Sequence, residues 1–308
     1  MTYVGIQTQI RRNNFNSILL ILAFPIVLLG MVYAIIYFSQ RQQEVQIVND
    51  TFVSVVPFVI LGTTIWFLVA WMTHNSLIRM ATGSNPLERM ENKRVYNLVE
   101  NLCISKGMKL PKIFVIEDDS LNAFASGISD RTFSVTLSRG IINKLEDDEL
   151  EGVIAHELSH IRNRDVRLMV VSIIFVGIFA FIAEMAFRSI RFGALSRGKK
   201  DSGIAILVVI VVSAVCYLIA LLLRFGISRS REYMADAGAA EMTHKPYALA
   251  NALRKIDQDP LIEAVQNRDV AQLFIENPQP EEKKFSFSNL FSTHPPIAKR
   301  IELLDQFA

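Results

Sequence analysis

The stretch Glu149-Leu-Glu-Gly-Val-Ile-Ala-His-Glu-Leu-Ser-His160 ends eight residues before Leu168, where a run begins that reaches Phe187 with a single charge, Glu184. Leu150, Val153, Ile154, Leu158 and Ile161 recur at helical spacing, and His156, His160 and Asn163 form a second stripe of the same helix. Asp147 and Asp148 offer N-cap chemistry at its start. A helix with two histidines on one face therefore leads almost directly into a segment long and apolar enough to cross a bilayer.

Three more runs share that character, since Ile18–Phe38, Val53–Met72 and Ile204–Leu223 contain no charged residue. Each is about the 20 residues that span a hydrocarbon core as a helix. Across 308 residues, 51% are apolar and 20% charged, which excludes a disordered chain. Two cysteines exclude a disulfide scaffold, and a net charge of +2 gives a nucleic-acid role no bulk electrostatic support. The sequence predicts an integral membrane α-helical protein with four transmembrane helices in two hairpins. The first hairpin lies within residues 1–72 (18–38 with 53–72), and the second occupies 168–223 (168–187 with 204–223). No small-residue cleavage site follows the first run before Gln40 and Arg41, so it reads as an anchor. Pro25 and Pro57 are tolerable inside spans as kinks.

Four spans put residues 73–167 and 224–308 on one side of the lipid bilayer, where they build one water-facing domain. Basic residues near the span ends are more numerous on that side, among them Arg11, Arg12, Arg162, Arg164, Arg167, Arg224 and Arg229, than on the other, which carries Arg41 and the loop Arg188–Lys200. Positive residues mark the cytoplasmic face, so the domain is expected in the cytoplasm. Within it, Lys112–Ile116 reads as a strand, and Phe133, Val135 and Leu137, alternating with Ser134, Thr136 and Ser138, as a half-buried one. Pro86 to Cys103 and Ser230 to Met242 read as helices. A last helix starts at Pro295 and buries Ile297, Ile301 and Leu304. The domain is helix-dominated α+β.

His156 and His160 are four apart, so both imidazoles can reach one metal ion. Two neutral imidazoles, a carboxylate and an open position suit zinc. Such an ion brings the pKa of a water toward about 7, and Glu157, beside the first ligand, can take that proton without ligating. The third ligand must come from elsewhere. Glu232 follows Leu223 by nine residues, and His160 precedes Leu168 by eight. At 1.5 Å per residue both lie about 12 Å from the membrane boundary if the helices continue, so the second hairpin returns the two segments side by side. That parity selects Glu232, with Asp236 one turn on as a carboxylate that orients a ligand.

The order of these parts resembles the HtpX-type membrane-bound zinc metalloproteases of bacteria. Two N-terminal spans are followed by Asn122-Ala-Phe-Ala-Ser-Gly127, a strand and the Glu149–His160 stretch. Two further spans precede Ser230-Arg-Glu-Tyr-Met-Ala-Asp-Ala-Gly238 and Thr293-His-Pro-Pro-Ile-Ala-Lys-Arg-Ile301. The resemblance covers roughly residues 10–305 and implies a gluzincin-like zinc metallopeptidase domain. It also implies an endopeptidase of inner-membrane protein quality control and stress response, with one zinc ion per chain. It maps zinc ligation onto His156, His160 and Glu232 and the base onto Glu157. It places Asn122, Ala123, Phe124 and Ala125 beside the cleft, as an edge strand able to hold substrate. The expected substrates are membrane-protein and unfolded polypeptide segments.

Other residues admit more than one reading. His294 can donate to the oxyanion of a tetrahedral intermediate, or merely neighbour a helix N-cap. Asp165 can hydrogen-bond a ligand imidazole or serve as a helix-end charge. Arg300 can pair with Asp236, contact substrate, or be a surface cation. Among competing functions, a CAAX-prenyl-protease-like enzyme shares the zinc motif but has more spans. A metal transporter or sensor would place ligands within the spans, which hold no His and one acidic residue. A chaperone-like relative would have no need of Glu157.

Overall fold

The computed structural model describes residues 6–40, 43–191, 210–211, 214, 229–262, 273–275 and 295–307. The fourth expected span (204–223) falls almost wholly outside them, as do His294 and most of the loop Arg188–Lys200. The chain divides into two compact units, one of Met1–Phe15, Thr73–Val170 and Phe225–Ala308, the other of Asn16–Met72 and Val171–Arg224.

The second unit is built from long apolar helices. Helix α1 (Ile6–Ser39) and α2 (Val45–Thr82) keep Pro25 and Pro57 in their interiors. Both are long and apolar enough to cross a membrane, over Ile10–Phe38 and Val45–Thr82. The most apolar part of α2 has no buried residue, which separates it from a soluble core helix. Leu22, Ile26, Phe58 and Met72 stand outward, as a lipid-facing surface requires. The third expected span lies within α6 (Asp165–Arg191).

The first unit contains a four-stranded sheet in the order β1-β2-β4-β3. Its strands are β1 (Asn85–Pro86), β2 (Lys112–Ile116), β3 (Ala123–Ser126) and β4 (Ser134–Ser138). β2 and β4 are parallel, whereas β1 and β3 run antiparallel to their neighbours. β4 differs from the half-buried strand its alternation predicts, because all five residues are buried. It is a central strand, and its polar positions are satisfied internally. Ser134 Oγ lies 2.8 Å from Ser126 Oγ, and Ser138 Oγ donates to the Ser120 carbonyl at 2.6 Å.

The helices of this unit are α3 (Lys93–Ser105), α4 (Arg139–Lys144), α5 (Asp147–Asn163), α7 (Arg229–Thr243), α8 (Pro246–Ile256) and α9 (Ile297–Asp305). α3 starts later than expected, at an Asn92 cap whose side chain accepts the Val95 N–H. The last helix begins after Pro295 and Pro296, with Pro296 as its cap. α5 is capped by Glu146, one residue before the expected aspartates, and the Glu149 carboxylate accepts the Glu146 N–H at 3.0 Å. Asp147 and Asp148 occupy the first turn, where the helix dipole favours them.

α5 is the centre of the unit. Leu150, Val153, Ile154, Leu158 and Ile161 are buried, and so are His156, Glu157, Ser159 and His160 on the other faces. A helix enclosed on every side is fixed in rotation, and truncating one of its buried leucines to Ala costs about 2–5 kcal/mol. Its far end is held by Asn13, whose Nδ2 donates to the Asn163 carbonyl at 2.9 Å.

Candidate metal centre

Two close helix contacts set the position of the ligands. A Cβ on Gly238 of α7 would lie 2.6 Å from Ser159 Oγ and 3.1 Å from Ser159 Cβ on α5, so any larger residue there displaces the hydroxyl and crowds the helix. Two turns earlier on the same face of α5, a Cβ on Gly152 would meet the Leu249 backbone of α8 at 3.1 Å. α7 and α8 thus both pack closely along one face of α5, and α7 is close enough to bring Glu232 against the histidine pair.

Nε2 of His156 and Nε2 of His160 face one another at 3.1 Å. The Glu232 carboxylate places one oxygen 3.6 Å from His156 Nε2 and the other 3.6 Å from His160 Nε2. All three residues are buried, and their donor atoms lie within 4.8 Å of one another. A tetrahedral ion with bonds of about 2.0–2.2 Å holds its ligand atoms about 3.4 Å apart, close to these separations. Two imidazole nitrogens and a carboxylate converge, so the donor set fits a metal ion; the Arg300 guanidinium borders it, with Nη2 3.4 Å from His156 Nε2 and Nη1 3.6 Å from a Glu232 oxygen.

The outer nitrogens of both rings are taken. His156 Nδ1 lies 2.9 Å from Asp236 Oδ1, and His160 Nδ1 lies 2.9 Å from Asp165 Oδ2. Each Nδ1–H donates to a carboxylate, which leaves the Nε2 lone pair for a metal. Asp165 reaches back because Arg164, between α5 and α6, adopts the left-handed conformation (φ 63°). Asp165 realises both of its readings, since it bonds a ring and also stands as an acidic residue in the first turn of α6. Arg300 pairs with Asp236 and is fully buried rather than a surface cation. Arg300 Nε and Nη2 donate to Asp236 at 2.9 and 2.7 Å, and Nη1 donates to the Ile275 carbonyl at 3.1 Å.

The electrostatics follow from this enclosure. Burial opposes charging of His160, but Asp165 and Glu232 outweigh it and push the ring up to about 9. Burial likewise opposes charging of His156, and the Asp236 and Glu232 carboxylates raise it in spite of that. Burial acts against the Asp236 carboxylate, but the Arg300 guanidinium holds it below the usual range, as an anion. Glu157 is pushed up, first by burial, and its Oε2 has no hydrogen-bond partner among the described residues. A buried carboxylate with a vacant oxygen is suited to accept a proton from a reactant in the site.

β3 takes in Ala123–Ser126 and is the edge strand of the sheet, and Asn122 precedes it, buried, with its Nδ2 donating to the Pro260 carbonyl at 2.8 Å. The outer side of β3 carries Phe274 and Ile275 of the same chain. His294 lies outside the described residues. The spacing of the motifs passed over the Ser159–Gly238 contact, although Gly238 stands in the quoted stretch around Glu232. It also passed over Ile275, for which no local signal exists.

Fold and site together define a metallopeptidase whose helical histidine pair is completed by a glutamate from a second helix. A model of peptidase family M48 matches residues 89–308. The HtpX protease homolog of Bacteroides fragilis is 53% identical over 322 aligned positions, covering 100% of both chains. Those of Listeria monocytogenes and Lactobacillus helveticus are 34% and 33% identical, with 96% and 97% of this chain and 98% of each relative covered. The chain belongs to the HtpX proteases of family M48 and is a membrane metalloprotease. The crystal structure of S. mikatae Ste24p shares the fold at a TM-score of 0.50 and 18% identity, over 90% of this chain and 61% of that one.

Proposed function

We propose that the chain is a zinc-dependent endopeptidase of the bacterial inner membrane that cuts extended, unfolded segments of membrane proteins for quality control. The observation that carries the reading is the convergence of His156, His160 and Glu232 beside the vacant carboxylate oxygen of Glu157. In this reading the domain is gluzincin-like, four spans cross the bilayer, and the site faces the cytoplasm. The excess of basic residues on the side of the large segments supports that orientation.

His156, His160 and Glu232 would hold one zinc ion, and Asp236 and Asp165 would keep both rings in the tautomer that offers Nε2. The ion, when bound, supplies Lewis-acid chemistry that acidifies water and polarises a peptide carbonyl. Glu157 takes the proton of the attacking water and passes it to the leaving amine nitrogen. Arg300 keeps Asp236 ionised and aimed at His156. His294 is the proposed donor to the oxyanion of the tetrahedral intermediate. β3 holds the substrate through main-chain hydrogen bonds, so unfolding rather than sequence controls the rate.

Metal analysis and casein cleavage by the detergent-purified protein, with and without chelator, test the chemistry. One zinc per chain and chelator-sensitive cleavage are expected, and cleavage by the zinc-free protein would contradict it. Membrane-impermeant labelling of Lys199→Cys and Lys283→Cys in intact cells tests the topology. Opposite accessibility is expected, whereas labelling of both from outside would contradict four spans.

A further inference from the structure

The outer side of β3 is already paired. Phe274 sits in antiparallel register with Phe124, and the Ile275 N–H donates to the Ala123 carbonyl at 2.8 Å. The Phe124 and Phe274 ring centroids are 4.6 Å apart. The Ile275 carbonyl accepts from Arg300 Nη1 at 3.1 Å, and Nη2 of the same guanidinium lies 3.4 Å from His156 Nδ1. Residue 275 is thus held through its main chain on both sides, by the sheet edge and by an arginine that touches a metal-ligand ring. Leu273, Phe274 and Ile275 are all buried.

A peptide that adds to a sheet edge is recognised through its backbone N–H and C=O groups, with side-chain pockets for alternate residues. The segment at 273–275 satisfies that description with residues of this chain. We propose that Leu273–Ile275 occupies the place of a substrate strand on β3, as an internal competitor that must leave before a polypeptide can bind. The inference rests on the proposed endopeptidase function and adds its regulation and substrate class. The substrate strand runs antiparallel to β3. It presents a carbonyl to Arg300 where Ile275 does, and a large apolar or aromatic side chain to Phe124 where Phe274 does. An unfolded segment rich in such residues is the chemistry that displaces it, whereas a folded protein has no free strand to offer.

Among the described residues the contact is one isolated bridge, not a ladder of paired residues, so few main-chain hydrogen bonds oppose its opening. If the internal strand is in place about nine-tenths of the time, peptide binding is weakened about tenfold relative to an open edge.

The experiment measures binding of a fluorescein-labelled, unstructured ten-residue peptide with a central Phe to the full-length, metal-loaded protein in detergent. Glu157→Gln is the background, so that binding is read without hydrolysis. Ile275→Pro removes the N–H that donates to Ala123 and is expected to tighten binding about tenfold with metal content unchanged. Phe124→Cys with Phe274→Cys joins an antiparallel pair whose flanking residues, not the pair itself, carry the hydrogen bonds. Such Cα atoms stand about 4.5 Å apart, within disulfide range. With Cys103 and Cys216 replaced by Ser, the oxidised form is expected to bind at least about tenfold more weakly than the same variant reduced.

Binding by the oxidised pair equal to that of the reduced pair would overturn the proposal, because the segment would not need to leave. Unchanged or weaker binding by a metal-loaded Ile275→Pro chain would also overturn it and make 273–275 a permanent strand of the sheet. If Ile275→Pro loses its metal, the comparison of the oxidised and reduced pair decides alone. Failure of the enzymatic reading shows separately, as wild-type protein that holds metal and cuts no peptide.

Discussion

Arg300 and Asp236 form a two-point ion pair inside the protein, Nε to Oδ2 at 2.9 Å and Nη2 to Oδ1 at 2.7 Å, with 0% and 4% of the two residues exposed. Desolvation makes such a pair a poor source of net stability, but removing one partner leaves a charge with no compensation. Its function lies one bond further in, where Oδ1 of Asp236 meets Nδ1 of His156 at 2.9 Å. The fork of Arg300 fixes which way that carboxylate points, and the carboxylate fixes the ring.

Asp236→Ala is expected to weaken metal affinity by about 10–100-fold, the usual effect of removing a group that orients a ligand. Arg300→Met leaves the buried Asp236 charge without its cation, bonded only to the His156 ring, and is expected to cost about 3–5 kcal/mol of stability, read by denaturant unfolding in detergent. The double variant regains most of that stability and none of the affinity. Full affinity in the double variant would mean that the pair has no part in holding the ring.

Much of the site was open to reading because its chemistry is local. His156, Glu157 and His160 share one helix turn, and the apolar run that follows them points to Glu232 as the partner from the second helix. Arg300 was ambiguous for a physical reason. A lone arginine on a short helix is exposed in most proteins, and only contacts with Asp236 and Ile275, 64 and 25 residues away, show that it is buried. The Phe124–Phe274 pairing has no periodicity to announce it, since it is one isolated bridge between distant residues. β4 misled because serine and threonine at alternate positions imitate a solvent face, although hydrogen bonds such as those of Ser134 and Ser138 satisfy them inside.

Gly238→Ala reverses the usual sign of a helix substitution. Propensity alone would stabilise α7 by up to about 1 kcal/mol. The new Cβ, 2.6 Å from Ser159 Oγ, instead turns that hydroxyl off the Ala155 carbonyl and crowds the Ser159 Cβ at 3.1 Å, for a net cost of about 1–3 kcal/mol and a loss of metal affinity. Ser159→Gly in the same chain should restore both. Wild-type affinity in Gly238→Ala, measured by competition with a chromogenic chelator, would show that this contact does not set the position of Glu232.

Metal uptake should release protons. The carboxylates around His160 push its metal-free pKa up to about 9, so at pH 7 the ring carries a proton that ligation must displace. Affinity therefore rises as pH rises toward 9 and flattens above it, and falls on acidification. Titration calorimetry at pH 7 in two buffers of different ionisation enthalpy is expected to show release of about one proton or more per metal. Equal apparent enthalpies in the two buffers would mean that both rings are already neutral.

Glu232→Ala removes one of the three proposed ligands and is expected to lose stoichiometric metal at neutral pH. Because a bound ion stabilises only the folded state, chelator should lower the melting temperature of the wild-type chain and leave that of Glu232→Ala unchanged. Tight, stoichiometric metal in this variant would place the third ligand elsewhere.

The most direct test of the account is paired metal analysis and peptide cleavage with Glu157→Gln. Glutamine fills the same buried space and does not ligate the ion, so the variant should retain its metal. It cannot take up a proton as the carboxylate does, so cleavage should fall by about 10²–10⁴-fold. A metal-loaded Glu157→Gln protein that cuts peptide at near the wild-type rate would contradict the assignment of Glu157 as the base, and with it the mechanism built on this site.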